Sequence, residues 1–207
     1  MNYLDNLTER YPELAPLKEK IGAAVDMIIE SYKNGGKVLL CGNGGSAADS
    51  EHISGELLKG FMELRRPEGD ELAALTEALG EDAVKLQRGV AAVPLTSLSA
   101  SLSAFANDVD PELVFAQLTY ALGKRGDVLI CLSTSGNSKN VVKALEVAKA
   151  LGIKTLAMTG ESGGKLAEIA DITVKVPATE TYKIQEYHLP VYHAVCAEAE
   201  RVIFKES

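Results

Sequence analysis

The stretch KVLLCGNGGSAADSEH at positions 37–52 joins an apolar run, a glycine-rich turn and the start of a polar helix. The run KVLLC is apolar almost throughout and rich in strand-forming residues, which predicts a buried strand. A helix from about Ser46 to Phe61 follows the turn directly. A buried strand that leads through a tight turn into a helix is the repeating unit of a parallel α/β sheet.

The same alternation of apolar strands and amphipathic helices continues along the rest of the chain. Asn34-Gly35-Gly36 ends a predicted N-terminal helix over 3–33, whose apolar residues share one face. Further strands are predicted at 90–96, 126–133, 153–160 and 171–177, and further helices near 99–106, 111–123, 137–152, 165–170 and 181–204. The fold class is therefore α/β, with five parallel strands flanked by helices on both faces in a single domain over 1–207.

Residues 62–89 interrupt this alternation and are predicted to form a helical insertion. The segment MELRRPEGDELAALTEALGEDAVKLQRG is charged, favours a helix and is bounded by Pro67 and Gly89. It directly follows the helix that begins near Ser46, so it can reshape or cover whatever that helix carries. Two interpretations stay open: an interface or lid helix, and a solvated surface decoration.

Composition and charge argue against several classes of protein. The 207 residues carry a net charge of −8, which is unfavourable for binding nucleic acid. The longest apolar runs, such as VLICL at 128–132, are far too short to span a membrane. The stretch MNYLDNLTERYPEL lacks the apolar core of a signal peptide, and Cys41, Cys131 and Cys196 are too few and scattered for a disulfide framework. We therefore expect a cytoplasmic protein with reduced thiols that binds neither nucleic acid nor membrane.

Two loops have the composition of phosphate-binding turns. GNGGS (42–46) and STSGNS (133–138) each follow a strand and lead into a helix. Helix N-termini present unpaired N–H groups that suit an anion, glycines permit close approach, and hydroxyls add donors. Neither loop matches the P-loop or the G-x-G-x-x-G dinucleotide pattern. Ordinary turns and helix caps are the alternative, but two such loops in one sheet favour phosphate binding.

The histidines suggest a metal site. His52 and Glu56 are spaced i, i+4 and share one face of the helix that starts at the first loop. Gln185 and His193 lie on the last helix, where Pro190 provides a cause for a bend that would bring them together. Two histidines with a carboxylate and an amide form a donor set suited to zinc or another divalent ion. A helix surface with an incidental His–Glu pair is the alternative.

A polar pair, Asn107 and Asp108, ends a predicted helix within SAFANDVDP. One interpretation is a simple helix stop before Asp110-Pro111. The other is that the two polar side chains line the same cleft as the loops. Their spacing does not choose between these interpretations.

Taken in order, these motifs resemble those of the phosphoheptose isomerases, which are sugar isomerase (SIS) domain proteins. The resemblance is carried by GNGGS, ADSEHISGEL, FANDVD, GDVLICLSTSGNSKNVVKALEVAKALG, MTGESGGK, ADITVKVP and IQEYHLPVYH. It covers nearly the whole chain apart from 62–89. It implies a flavodoxin-like three-layer sandwich that forms homotetramers with active sites at subunit interfaces.

The resemblance also implies a function and assigns site residues. Phosphoheptose isomerases convert D-sedoheptulose 7-phosphate to D-glycero-D-manno-heptose 7-phosphate, the first step towards ADP-heptose, and such an aldose–ketose isomerisation passes through an enediol. They bind zinc, which implies one ion per subunit here. The family's metal ligands fall on His52, Glu56, Gln185 and His193, and its catalytic acid–base pair falls on Glu56 and His193. Its substrate contacts fall on Asn43, Gly44, Gly45, Ser46, Asn107, Asp108, Ser133, Thr134, Ser135, Ser138 and Gln185.

Two positions depart from the family pattern. Many members have arginine four residues after the metal-binding glutamate, where this chain has Gly60, with Lys59 beside it as a point charge. An Asp-Arg or similar pair often precedes the Ile-Gln-Glu stretch, where this chain has Tyr182-Lys183. The alternatives are therefore an isomerase of another phosphosugar, or a non-catalytic regulator that binds phosphosugars or a replication initiator. The complete set of four metal ligands favours an enzyme.

Overall fold

Five short strands form one parallel sheet in the computed structural model, which describes residues 2–204. Most strand residues are buried, and the strands β1 and β3 are buried at every position, as a sheet covered on both faces requires. The strands are β1 (Val38–Cys41), β2 (Ala92–Pro94), β3 (Val128–Leu132), β4 (Lys154–Thr159) and β5 (Ile172–Lys175). The predicted five-stranded parallel α/β fold is confirmed.

Helices connect the strands and cover the sheet. The α-helices are α1 (Tyr3–Arg10), α2 (Lys18–Lys33), α3 (Gly45–Leu58), α4 (Gly69–Leu79), α5 (Ser99–Asp108), α6 (Val114–Leu122), α7 (Lys139–Leu151), α8 (Gly164–Ile169) and α9 (Thr181–Phe204). Short 3-10 helices lie at Pro12–Leu17, Gly80–Lys85, Leu95–Ser97 and Pro111–Leu113. None of the helices within residues 2–204 has the length and hydropathy needed to cross a membrane.

Side chains of the sheet alternate between two hydrophobic cores. Val38 and Leu40 pack into a core shared with α1, α2, α3 and α9. Leu39 and Cys41, which point the opposite way, pack into a core shared with α6, α7 and α8. The alternation follows the two-residue period of a strand, so each face of the sheet buries its own layer of helices. The predicted three-layer sandwich is confirmed.

The order of the strands determines where a ligand can bind. The order is β2-β1-β3-β4-β5, which is that of flavodoxin-like folds. Strand order reverses between β1 and β3, and open α/β sheets bind ligands outside the carboxyl ends of strands at such a point. The register pairs Cys41 with Cys131, so β1 and β3 end nearly level. The loops GNGGS and STSGNS therefore leave the sheet side by side.

The N-terminal segment differs from the predicted single helix over 3–33. Two helices, α1 and α2, are separated by a 3-10 helix that contains Pro12 and Pro16. Proline lacks a backbone N–H and its ring clashes with the preceding turn, so an α-helix cannot continue through both prolines without disruption. The prediction of one continuous helix was wrong because the apolar periodicity continues across two prolines that interrupt the α-helical backbone.

The insertion over 62–89 has a fixed stem and an exposed tip. At the stem, the Arg88 N–H donates to the carbonyl oxygen of Arg65 at 2.6 Å, and the Val90 N–H donates to that of Leu57 at 2.8 Å. Arg65 is buried and its guanidinium donates to the Glu200 carboxylate of α9 at 2.6 Å. By contrast, α4 has no buried residue within the described chain. Its role as an interface or lid helix, or as a decoration, stays a prediction.

Candidate active site

Two histidines and a glutamate converge where α3 packs against α9. His52 and Glu56 lie one turn apart on α3, and His193 lies on α9. His52 Nε2 is 3.2 Å from Glu56 Oε1 and 3.4 Å from His193 Nε2. One ligand atom from each of the three residues lies within 4.8 Å of the other two. The structure therefore brings together three of the four residues to which the family resemblance assigns a metal.

The donor atoms of this cluster fit a divalent metal ion. A tetrahedral zinc bound by nitrogen and oxygen at about 2.0–2.1 Å sets its ligand atoms roughly 3.3 Å apart. The two separations measured from His52 Nε2, 3.2 and 3.4 Å, agree with that value. Glu56 Oε2 is buried and makes no hydrogen bond within the described chain, so the carboxylate has unused capacity. These three residues form a candidate metal centre.

Burial and neighbouring charges shift the pKa of His193 within the cluster. Burial lowers the pKa of His193, and the neighbouring His52 lowers it further, against an opposing effect of Glu56. The neutral imidazole, which can bind a metal or accept a proton, is therefore favoured. Lys59 Nζ lies 3.6 Å from Glu56 Oε2, although most of the lysine side chain is exposed. The positive charge that the sequence places beside Gly60 thus lies close to the Glu56 carboxylate.

The loops after β1 and β3 form a second part of the site. Together with the start of α9 they line a cavity of about 330 Å³ outside the carboxyl ends of these strands. No residue that lines the cavity is charged, and the Oγ atoms of Ser133 and Ser138 lie 3.0 Å apart within it. Eight predicted substrate-binding residues line it: Asn43, Gly44, Gly45, Ser46, Ser133, Thr134, Ser138 and Gln185. The cavity offers hydroxyls, amides and helix N-termini, which suit a phosphate group.

Glycine is favoured at two positions of the first loop. Gly44 has a φ of +57° at the start of α3, a conformation that favours glycine. At Gly45, a Cβ atom would lie only 2.5 Å from Gln185 Nε2. The missing side chain therefore lets the Gln185 amide lie against the loop. The structure places Gln185 at the loop cavity, and its role as a fourth metal ligand stays a prediction.

Three predicted substrate-binding residues lie outside this cavity. Ser135 is exposed, and its Oγ accepts a hydrogen bond from the backbone N–H of Asn137 at 3.1 Å. Asn107 and Asp108 lie at the exposed end of α5, where the Asn107 amide donates to the Asp108 carboxylate at 2.8 Å. The structure does not bring these three side chains to the metal cluster or to the loop cavity, so their contact with substrate stays a prediction.

Asp49, Tyr192 and Asn140 contact the site but are absent from the sequence-based assignment. The Tyr192 hydroxyl donates to Asp49 Oδ1 at 3.1 Å and lies 3.0 Å from His52 Nδ1. Asn140 exchanges two hydrogen bonds of 2.9 Å with Asn43, which links the start of α7 to the first loop. Asp49 precedes His52 by three residues and so shares its helix face, and this spacing is a pattern from which its place in the site can be predicted. The contacts across helices have no signal in the sequence.

The departure at Gly60 has a structural reason. The Gly60 N–H donates to Gln87 Oε1 at 2.7 Å, at the far end of the insertion. A Cβ at position 60 would clash with the carbonyl oxygen of Glu63 and lie 2.5 Å from Gln87 Oε1. No larger side chain fits there while the insertion keeps this path. Tyr182, the other departure, is exposed and lies beside Thr181 at the rim of the loop cavity.

The third histidine, His188, lies apart from the cluster of His52, Glu56 and His193. It is fully buried on α9, with Nε2 3.4 Å from the carbonyl oxygen of Thr159. Its Nδ1 makes no hydrogen bond within the described chain. Burial lowers its pKa to about 4.

Acid is expected to destabilise the fold through His188. Its pKa falls from 6.5 to about 4 on folding, so below pH 6.5 the unfolded chain binds a proton that the folded chain excludes. Between pH 7 and pH 5 this linkage removes about 2 kcal/mol from the free energy of unfolding. Urea unfolding at both pH values measures the loss, which should be smaller in His188→Gln. The same pH dependence in the two proteins would contradict the assignment.

Comparison with known proteins identifies the family of this chain. SIS domain family models match residues 2–101 and 88–196. The chain is 42% identical over 188 residues to a phosphoheptose isomerase of Helicobacter pylori strain P12, covering 91% of this chain and 86% of the relative. It is 40% identical over 193 residues to a phosphoheptose isomerase of Aneurinibacillus thermoaerophilus, and the match covers 93% of this chain and 85% of the relative. A solved phosphoheptose isomerase from Neisseria gonorrhoeae superposes with a TM-score of 0.74 at 32% identity, covering 95% of this chain and 92% of that chain. The chain therefore belongs to the SIS domain family and, within it, to the phosphoheptose isomerases.

Proposed function

We propose that this protein is an aldose–ketose isomerase that converts D-sedoheptulose 7-phosphate to D-glycero-D-manno-heptose 7-phosphate. The observation that carries the proposal is the His52, Glu56 and His193 cluster on the two helices that also border the phosphate-type cavity. The relatives that cover most of the chain at 40–42% identity are named for the same reaction. The fold, the donor set and the cavity thus favour one activity.

The loop cavity binds the phosphate in this proposal. Ser133, Thr134 and Ser138 supply hydroxyls, and the N-termini of α3 and α7, which border the cavity, supply the positive ends of their helix dipoles. Anchoring the phosphate fixes the far end of the sugar, so the reacting carbons reach the metal cluster in one orientation. Positioning of this kind lowers the activation barrier of an enzymatic reaction by several kcal/mol. For the best-oriented reactants the effect reaches roughly 7–11 kcal/mol.

The metal is proposed to be one zinc ion per subunit. His52, Glu56 and His193 would hold it, with Gln185 as the proposed fourth ligand. The mixed nitrogen and oxygen donors suit zinc, although they would also accept other divalent ions. When bound, such an ion supplies Lewis acidity that polarises the sugar carbonyl.

Glu56 and His193 are proposed to move the protons. The reaction takes a proton from C1 of the ketose, passes through an enediol and returns a proton to C2, so it needs a base at carbon and an acid at oxygen. Glu56 has two oxygens with different surroundings: Oε1 faces His52 at 3.2 Å, and the buried Oε2 makes no hydrogen bond within residues 2–204. Oε1 is therefore the oxygen that faces the cluster, and the Glu56 carboxylate is the proposed base. His193, whose neutral form is favoured, exchanges protons with the sugar oxygens.

The proposal extends to assembly and location. A homotetramer with sites at subunit interfaces is supported by the exposure of the site, since the His52 side chain keeps 43% of its surface accessible in one chain. A cavity of about 310 Å³ between α1 and α9, with His193 in its wall, also opens beside the cluster. Cytoplasmic location is a prediction from the sequence alone. Sedimentation of the purified protein tests the assembly.

A second candidate, isomerisation of another phosphosugar, is favoured by one observation. Many family members carry arginine four residues after the metal-binding glutamate, whereas this chain has Gly60 there and its insertion leaves no room for a side chain at that position. A non-catalytic regulator is disfavoured, because a pure binding module has no need of two histidines and a carboxylate in ligand geometry.

The test is conversion of sedoheptulose 7-phosphate by the purified protein, followed by NMR. We expect conversion that is lost after chelation and recovered when zinc is added. Unphosphorylated sedoheptulose is the matched control and should react at least about 100-fold less efficiently, because the loop cavity then has nothing to anchor. No conversion by folded protein with any divalent metal would overturn the proposal. Conversion that chelation leaves unchanged would overturn the metal part alone.

A further inference from the structure

A short hydrogen-bonded chain lies behind the candidate metal centre. Tyr192 is buried on α9, directly before His193, with only 2% of its surface exposed. Its hydroxyl donates to Asp49 Oδ1 at 3.1 Å and lies 3.0 Å from His52 Nδ1. Its ring meets the His52 ring edge-on, with centroids 5.4 Å apart. The chain runs Asp49 to Tyr192 to His52 and ends at the ring whose other nitrogen faces Glu56 and His193.

The contact with the Tyr192 hydroxyl favours a proton on Nδ1 of His52. A tyrosine hydroxyl has one proton, and here it is given to the Asp49 carboxylate, which can only accept when ionised. The second contact of the hydroxyl must then use its lone pair, so His52 Nδ1 carries a proton and donates it. A neutral imidazole protonated at Nδ1 has its free lone pair on Nε2. Nε2 is the atom that lies 3.4 Å from His193 and 3.2 Å from Glu56.

We propose that Tyr192 and Asp49 are positioning residues that hold His52 in the Nδ1-protonated tautomer and aim its Nε2 at the metal. The inference rests on the proposed metal site and goes beyond the ligand set. Ligating histidines commonly donate their second N–H to a carboxylate or carbonyl, and loss of such a partner typically weakens metal binding by about 10- to 100-fold. Here the carboxylate acts through a buried phenol from another helix, so the packing of α3 against α9 and the orientation of His52 depend on the same residue.

The first test is zinc affinity of Tyr192→Phe, measured by competition with a chelating dye. The variant keeps the ring and removes the acceptor for His52 Nδ1, so we expect zinc to bind about 10- to 100-fold more weakly. Tyr187→Phe is the matched control, because Tyr187 lies on the same helix and also donates to a carboxylate, Glu13 Oε1 at 2.9 Å, away from the cluster. It should bind zinc like the wild type. Equal affinities in all three proteins would overturn the inference.

The second test reverses the hydrogen bonds. Asp49→Leu removes the acceptor for the Tyr192 hydroxyl, which can then donate to His52 Nδ1 and favour a proton on Nε2, the wrong tautomer for the metal. In metal-free protein labelled with ¹⁵N-histidine, NMR should show a proton on His52 Nδ1 in the wild type and a smaller Nδ1-protonated fraction in Asp49→Leu. A wild-type His52 without a proton on Nδ1, or an unchanged Nδ1-protonated fraction in the variant, would overturn the inference. Circular dichroism checks that each variant is folded.

These measurements separate the inference from the proposed function. Zinc affinity and tautomer are read without substrate, so they remain informative if the protein acts on another sugar. Wild-type protein that isomerises the heptose, with variants that bind zinc equally well, would reject the positioning role and leave the function in place.

Discussion

Glu56→Gln is expected to lower kcat for sedoheptulose 7-phosphate by at least about 100-fold, within the range that general acid–base catalysis supplies. Glutamine keeps the shape of the side chain but accepts no proton and carries no charge. The substitution removes the proposed base and leaves Lys59 Nζ, which lies 3.6 Å from Glu56 Oε2, without its counter-charge. KM should change less than kcat, because Glu56 does not line the loop cavity that anchors the phosphate.

Glu51→Gln is the matched control for this experiment. Glu51 lies on the same helix, is exposed, and accepts a hydrogen bond of 3.2 Å from the Thr96 hydroxyl, away from the cluster. Its turnover should stay within about twofold of the wild type, as for a surface substitution. Folded Glu56→Gln protein with a turnover similar to that of Glu51→Gln would show that the carboxylate is not the base.

Arg65→Met is expected to lower the free energy of unfolding by about 3–5 kcal/mol, the usual cost of removing one partner of a buried ion pair. Arg65 is almost fully buried and donates to Glu200 Oε1 at 2.6 Å. It also donates to the carbonyl oxygens of Leu57 at 2.7 Å and Glu56 at 3.0 Å, at the end of α3. Methionine fills much of the space but leaves a buried carboxylate and two carbonyl groups without these donors.

Urea unfolding of Arg65→Met, Arg65→Lys and Lys85→Met measures this effect. Arg65→Lys keeps the charge and loses the planar fork, so it should fall between Arg65→Met and the wild type. Lys85→Met breaks an ion pair with Asp82 that is exposed on both sides, so no measurable change is expected. An Arg65→Met protein as stable as Lys85→Met would show that the buried pair does not hold the insertion stem.

The strands could be predicted from the sequence because each is an apolar run between turn residues, and apolar runs report burial directly. The predicted strands at 37–42 and 126–133 match β1 and β3 to within two residues, and the alternation of apolar strands with helices indicated parallel pairing. The prediction of a single N-terminal helix was wrong for a local reason. Its apolar period continues across Pro12 and Pro16, but the backbone cannot follow that period through two prolines.

Within the candidate site, contacts along one helix could be predicted from the sequence, whereas contacts between helices could not. His52 and Glu56 share a helix face, so their spacing alone places them together. His193 joins them only because α9 packs against α3, which the family resemblance implied and spacing could not establish. Tyr192 precedes His193 directly, and no motif in the sequence marks it as part of the site. Its role depends on which atoms its hydroxyl meets across the two helices, and no sequence period encodes that contact.

Gly60 and the insertion depend on each other structurally. A side chain at position 60 has no room while Gln87 caps the Gly60 N–H, so an arginine there is incompatible with the path of residues 62–89. Introducing arginine alone would therefore damage the stem instead of adding a contact. Anyone transplanting specificity between this chain and its relatives must exchange position 60 and residues 62–89 together, as a single cassette.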